Sequence, residues 1–384
     1  MSATSFRTVY VDAVNGRGTS LSKVEIDIYR GDAKLATVTK LTQGFLKIQA
    51  APKTIALTLV ARLGPVALPP VTLEPGRTEW TFKFENQGAP SVLFVCALPL
   101  ETEAVRLTLS ETASEPFGGP SGDPNLYWSG AFLKDGTRRR VLIATSGMGN
   151  NNAAVVATHA LRSFIDDIDH LVMVGIAGGC PNYRKPSEHV RLGDIVVVDH
   201  RGIIQYDFLK RSIVGDETRA HPQRPAHALL QAASALDVVR GEPKAPWAEV
   251  LRKASKSQRR FQRPDEKTDL LFDQGNLVKH PEFSDRRSGM PFVHRGAIGS
   301  ANILMKDPTA RDRIRDLWNV RAIEMEGSGV LDAGWSLDKD VMIVRGICDY
   351  CDEHKSDVWQ AYAALAAASY ARSLIEMLPA SQFA

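Results

Sequence analysis

Between residues 91 and 347 the chain carries a series of short, largely apolar runs, most of them ending in glycine or a polar residue, and this constrains its fold more than any other feature. Ser91–Ala97 reads SVLFVCA, and Val141–Thr145, Leu171–Ile176, Gly193–Val198 and Val341–Ile347 repeat the pattern, while Arg321–Glu324 ends a further strand. A run that is apolar at every position suits a strand covered on both faces. Leu100–Leu109, Ala153–Phe164, Met325–Trp335 and the Ala-rich Trp359–Leu378 read as the helices between and after these strands. Strand–loop–helix repetition predicts an α/β fold, a mainly parallel sheet flanked by helices.

Residues 1–88 follow a different period. Val24, Ile26 and Ile28, the run Thr54–Ala61 and the segment Thr78–Phe84 alternate apolar with polar, as half-buried strands do. The expectation is a small all-β sandwich, an accessory domain for sensing or assembly without a catalytic cluster of its own. The polar, turn-rich Glu85–Pro90 reads as a linker, which sets the domains at 1–88 and 89–384. Residues 209–290 break the α/β rhythm. They are rich in Arg, Lys, Pro and Asp and hold one helix-like piece, His227–Val239. This insertion is either a solvated surface or an anion-binding lid built from Arg259, Arg260, Arg263, Lys267, Arg286 and Arg287.

The 384 residues carry 47 basic and 44 acidic side chains, a formal charge of +3, which gives no sign of nucleic-acid binding. The hydrophobic share of 44% is enough for a proper core. Four cysteines in mostly apolar text argue against a disulfide framework and for a reducing, cytoplasmic setting. Cys348 and Cys351 form a C-x-x-C pair, too little alone for a zinc or redox centre. The N-terminal MSATSFRTVY lacks the apolar core of a signal peptide, and no run approaches a membrane span. The expected partner is a small molecule, with no cofactor, metal, nucleic acid or membrane.

In a parallel sheet, ligands bind beyond the carboxyl ends of the strands. Five such ends carry candidate groups: Glu101 and Glu103; Ser146–Asn152; Gly175–Gly179; Glu324, Met325 and Glu326; and Arg345 with Asp349. The Ser-Gly-Met-Gly turn at 146–149 suits backbone approach to a ligand, and a tight turn explains it equally well. Neither a dinucleotide fingerprint nor a phosphate-binding P-loop is present. Pattern alone gives an α/β enzyme with a carboxylate-rich site.

The motifs ALPLETEAV at 97–105, SGMGNNNAA at 146–154, VGIAGGC at 174–180, LGDIVVVD at 192–199, AIEMEGSGV at 322–330 and VRGICDYCDEHK at 344–355 resemble, in order, the purine-nucleoside phosphorylase and uridine phosphorylase superfamily. The nearer likeness is to its methylthioadenosine/S-adenosylhomocysteine nucleosidase branch. HRGAIGSANILMKD at 294–307 and the run 345–371 resemble nucleosidase-type effector domains of fungal and bacterial multidomain defence proteins, some of which remove adenine from ATP-like nucleotides.

That resemblance implies a phosphorylase/hydrolase-like mixed sheet flanked by helices, and hydrolysis of a purine N-glycosidic bond through an oxocarbenium-like transition state. Asp349 would protonate N7 of the base, and Glu103 would activate water, with Glu101 a close competitor. Glu326 would bind the ribose hydroxyls and Met325 would pack under the sugar. Ser146, Gly147 and Met148 would border the water and sugar region. Glu324, Ala177, Gly178, Asn302 and Ile303 complete the implied substrate-binding set, Asn302 standing where nucleosidases often stack an aromatic ring on adenine. Arg345 would support the site by holding Glu103 or a phosphate. Carboxylates in the first loop favour water over phosphate as nucleophile. Lys306, Lys355 and the insertion cations suit a 5′-triphosphate, so an ATP-like substrate is expected. The alternatives are a methylthioadenosine/S-adenosylhomocysteine nucleosidase, a phosphorylase, or a nucleotide-sensing module without turnover. A homo-oligomer is expected, with an activating partner or ligand at the β domain.

Overall fold

The computed structural model describes residues 6–14, 20, 24–41, 44–52, 55–63, 66–83, 91–120, 122–213, 215–219, 221–240, 242, 244–273, 275–354, 356–380 and 383. The expected linker at 85–90 and Lys355 lie outside them. The chain divides into two compact units, Met1–Ala89 with Ala380–Ala384, and Pro90–Pro379.

In the smaller unit the strands Leu46–Pro52, Phe6–Val14 and Glu79–Lys83 form one sheet, and Ala33–Lys40, Val24–Arg30, Leu57–Leu63 and Val66–Ala67 lie in order in a second. The alternating residues Val24, Ile26, Ile28, Leu57, Leu59 and Phe82 share one buried core with Val9 and Val11. Inside this unit the buried Lys40 ammonium meets the Asp12 carboxylate at 3.2 Å.

The larger unit is built on β1 (Val92–Cys96), β2 (Leu126–Lys134), β3 (Thr137–Thr145), β4 (His170–Gly179), β5 (Ile195–Gln205), β6 (Val293–Ser300), β7 (Val320–Glu324) and β8 (Asp340–Asp349). Their order is β2-β3-β1-β4-β7-β6-β5-β8, and β8 also pairs with β4, so the last five strands close on themselves. Pairing is parallel within the groups β3-β1-β4-β8 and β5-β6-β7, and antiparallel at β4–β7, β5–β8 and β2–β3. The sheet is therefore mixed, and β2 is a strand that the apolar-run pattern does not reveal. Every residue of β1 and β7 is buried, as runs covered on both faces require.

Among the described residues seven helices flank the sheet: α1 (Pro99–Thr108), α2 (Asn150–Ser163), α3 (His227–Val239), α4 (Pro246–Ala254), α5 (Pro308–Trp318), α6 (Gly327–Ser336) and α7 (Gln360–Glu376). The stretch 209–290 is more ordered than its composition suggests. Besides α3 it contains α4, where Pro246 opens the helix and Trp247, Ala248, Leu251 and Ala254 form a buried stripe. Both helices pack against α7, so part of the insertion belongs to the core.

Closure brings the carboxyl ends of β4, β7 and β8 together. Gly178 stands opposite Asp349 on one side and Ile323 on the other, and Ser300 stands opposite Glu324.

Candidate active site

At these strand ends lies a cavity of about 220 Å³. Asp349 borders it from β8 and Ala177 and Gly178 from β4. Glu324, Met325 and Glu326 border it from the β7–α6 junction, and Met148 and Ile303 from loops. The structure thus unites eight of the residues singled out from the sequence. It adds Leu98, Leu304, Met305, Ile323 and Gln360, which carry no distinguishing pattern, together with Ile176 of the Gly175–Gly179 strand end and Cys348 and Cys351 of the C-x-x-C pair.

Arg345 organises the acids from behind. It is fully buried, and its Nη2 donates to the Glu324 carboxylate and, at 3.1 Å, to Glu326 Oε2. Glu324 also accepts from the amides of Glu326 and Gly327 at the start of α6. Glu326 Oε1 accepts from the Gly149 amide at 3.1 Å. Glu101 joins from α1: its Oε2 accepts from the Ala97 and Leu98 amides at 2.7 and 2.8 Å, and its Oε1 from the Ile176 amide at 2.7 Å. A Cβ at Gly175 would collide with both the Arg345 guanidinium and the Glu101 carboxylate, so glycine there lets the two side chains pass over bare backbone.

Three carboxyls around one guanidinium cannot all ionise freely. Burial, opposed by Arg345 and reinforced by Glu324 and Glu101, pushes the Glu326 carboxyl up to about 7. Burial also raises the Glu101 carboxyl, against the pull of Arg345 and its amide donors.

Asp349 is held at the opposite strand end. Its Oδ1 accepts from the Cys351 amide at 2.9 Å, and the Cys348 thiol lies 3.2 Å from Oδ2. Cys351 takes φ 55°, which turns the chain back onto β4. There Gly178 leaves the space that a Cβ would take from the Cys351 sulfur and the Asp349 carboxylate.

Several sequence assignments change. Glu103 does not reach the cavity; its carboxylate ion-pairs with Arg260 on the outer face of α1. Two residues apart on a helix point to opposite sides, and it is Glu101, the third helical residue after Leu98, that folds back toward the helix start. Arg345 accordingly holds Glu324 and Glu326, with Glu101 beside it, and not Glu103. Asn302 does not border the cavity: its Oδ1 accepts from the Asn150 amide at 2.8 Å and so fixes the start of α2. Ser146 turns its hydroxyl to the Cys96 and Gly147 carbonyls, and neither Ser146 nor Gly147 lines the cavity. Lys306 is solvent-exposed beside the lining Met305. Among the described residues no Lys or Arg lines the cavity, so the expected phosphate-facing cations are not in its wall. Of the insertion arginines, Arg260 is taken up by Glu103, while Arg263, Arg286 and Arg287 border a different cavity.

The model of the phosphorylase superfamily matches residues 91–378. A nucleotide-binding leucine-rich repeat-like protein of Hyaloscypha variabilis is 31% identical over 299 residues, which are 74% of this chain and 29% of that protein. The ATP nucleosidase Cap17 of Escherichia coli is 24% identical over 307 residues, 78% of this chain and 53% of Cap17. This chain therefore spans under a third of one relative and about half of the other. The crystal structure of an S-adenosylhomocysteine nucleosidase from Streptococcus pyogenes superposes with a TM-score of 0.52 at 14% identity, covering 76% of this chain and 99% of that one, and shows the same fold.

Proposed function

This chain belongs to the phosphorylase superfamily over residues 91–378, and on that premise we propose that its larger unit is a purine N-ribohydrolase that releases adenine from an adenine nucleotide such as ATP. The observation that supports the reading is one cavity bordered by Asp349 and by Glu326, with Glu101 buried behind its wall, where it accepts from the amides of the lining residues Leu98 and Ile176.

Asp349 donates a proton to N7 as the C1′–N9 bond breaks, and the bonding pair passes to the base. A carboxylate has about four acceptor positions. Three amides occupy Glu101, which leaves one to take a proton from the attacking water as its oxygen joins C1′. Glu326 has one bond from Gly149 and one from Arg345, which leaves two positions for the ribose 2′ and 3′ hydroxyls. The products are free adenine and the ribose carrying whatever stood at C5′. Among the described residues the wall carries the carboxylates Asp349, Glu324 and Glu326 and no Lys or Arg, and negative charge there favours water over inorganic phosphate as the nucleophile. Reaction in ¹⁸O-labelled water tests this. The label is expected at C1 of the released ribose without added phosphate, whereas phosphate-dependent release of ribose 1-phosphate would make the enzyme a phosphorylase.

The ATP-like substrate is supported by the resemblance to the ATP nucleosidase Cap17. A second reading has its own observation: Met148, Ile303 and Leu304 border the cavity and are 58%, 46% and 56% exposed, an apolar rim suited to the thioether of methylthioadenosine. Assaying both compounds for adenine release separates the two. The same rim supports a homo-oligomer, with a second copy covering it, and native mass measurement tests that. The β unit is proposed to carry the activating ligand or partner, a reading supported by the likeness to a nucleotide-binding leucine-rich repeat-like protein of which this chain covers 29%. Turnover by the chain without residues 1–88 at the full-length rate, under every condition, would exclude that role.

A further inference from the structure

The cations of the insertion converge elsewhere. Arg191, Arg263, Lys279, Arg286 and Arg287 border a cavity of about 430 Å³ that shares no residue with the one holding Asp349. Two carboxylates, Glu266 and Glu282, stand in the same wall. Behind it Asp194 takes both Arg286 nitrogens at 2.7 Å, and Asp269 takes Arg191 Nε at 2.8 Å. Glu266 is shared between Arg191 at 3.6 Å and Arg263 at 3.5 Å. Among the described residues Lys279 pairs only with Glu282, at 3.9 Å, and both side chains are about nine-tenths exposed. Arg287 has no ion pair among the described residues. Five cations thus meet four carboxylates, one of the four is loosely held, and at least two cationic groups keep donors free for a ligand.

The arginines are pre-oriented. Asp194 fixes Arg286 with two parallel bonds, and Arg263 stacks over the Trp359 and Tyr362 rings with its carbon 5.1 and 5.7 Å from the ring centres. An anion entering here would meet arginine side chains already held in place, with little ordering left to do; beyond its bonds to Asp194 and the His189 carbonyl, Arg286 keeps its Nε–H and one Nη1–H. The volume accommodates several linked phosphates, and donors spread around the wall match a chain of charges better than a single one.

We propose that this cavity is a binding site for an oligophosphate group, the di- or triphosphate part of a small molecule, separate from the catalytic cavity. It stands whether or not the glycosidase reading does. The wall turn Arg191–Asp194 is laced to the strand that bears Asp349: the Gly193 amide donates to the Ile347 carbonyl at 2.7 Å, the Ile347 amide to the Asp194 carbonyl at 2.8 Å, and the Leu192 amide to the Tyr350 hydroxyl at 3.2 Å.

Sodium tripolyphosphate, which carries no base or sugar, is the probe. Calorimetric titration of the full chain at physiological salt should show binding, and amide hydrogen exchange should show protection confined to 189–195 and 277–290. Lys279→Glu with Arg287→Glu should weaken binding at least tenfold. An equal charge change at the exposed Arg30 and Lys47 of the smaller unit should leave it unchanged. If the reversed-charge variant does not fold, Lys279→Gln with Arg287→Gln should weaken binding at least threefold. The proposal is overturned if tripolyphosphate does not bind, if these variants bind it as the parent does, or if protection appears instead at 98–103 and 146–150 around the catalytic cavity.

Discussion

Replacing Glu326 by Gln isolates the strain that three carboxyls place on one guanidinium. In the folded chain burial pushes the Glu326 carboxyl up to about 7, against 4.5 for an unconstrained glutamate. Between those values the native state keeps a proton that the unfolded chain has released, so stability falls as pH rises through this window and levels off above it. A midpoint displaced this far corresponds to about 3 kcal/mol once Glu326 is fully ionised, of which some 2–3 kcal/mol develops between pH 5 and 8. Glutamine keeps an acceptor for the Gly149 amide or for Arg345 and removes the titration. Equilibrium urea unfolding of parent and variant from pH 5 to 8 reads the effect. Relative to the parent, the variant should gain about 2–3 kcal/mol across that range, whatever its stability at pH 5. A difference between the two proteins that does not change with pH would refute the argument that Glu326 carries the shared proton. The same titration bears on turnover, because only the ionised carboxylate accepts both ribose hydroxyls. The affinity for substrate should therefore drop as pH falls below about 7.

Three further outcomes follow from the geometry. Glu101→Gln should lower kcat for adenine release at least a hundredfold, the scale of losing a positioned general base. Glu103→Gln, which breaks a half-exposed surface pair, should leave kcat within about twofold and stability within about 1 kcal/mol. Gly178→Ala should push the Cys351 turn off β4, cost about 1–3 kcal/mol in urea unfolding as an overpacked core does, and lower kcat more than it raises KM.

What could be read from the sequence, and what could not, has a physical pattern. A strand buried on both faces announces itself by composition when it is apolar throughout, as Val92–Cys96 is, whereas Val320–Glu324 is buried at every position although it carries Arg321 and Glu324. The end-of-strand rule then located Asp349, Glu326 and Met325 without any measurement of distance. The half-exposed strand Leu126–Lys134, with its mixed LYWSGAFLK text, has no such signature. The choice between Glu101 and Glu103 depended on helix phase at the first turn; Pro99 at the helix start puts Glu101 at the third position, where a glutamate reaches back to the preceding amides. Asn302 was misread because its role, bonding the amide that starts α2, joins segments 152 residues apart. Cation counting suggested phosphate binding by the insertion but could not say which cavity its arginines face. Folding directs Arg263, Arg286 and Arg287 away from the one with Asp349.

The claim on which the account stands is that Asp349 supplies the proton that frees the base. The decisive measurement is chromatographic detection of free adenine after incubating the full chain, and its Asp349→Asn form, with ATP and with methylthioadenosine. The account predicts adenine from at least one compound with the parent and a loss of at least a thousandfold in rate with Asp349→Asn, while calorimetry shows the substrate still binds. Adenine from neither compound, with binding intact, would make this a sensing module, and undiminished release by Asp349→Asn would contradict the assignment of the acid.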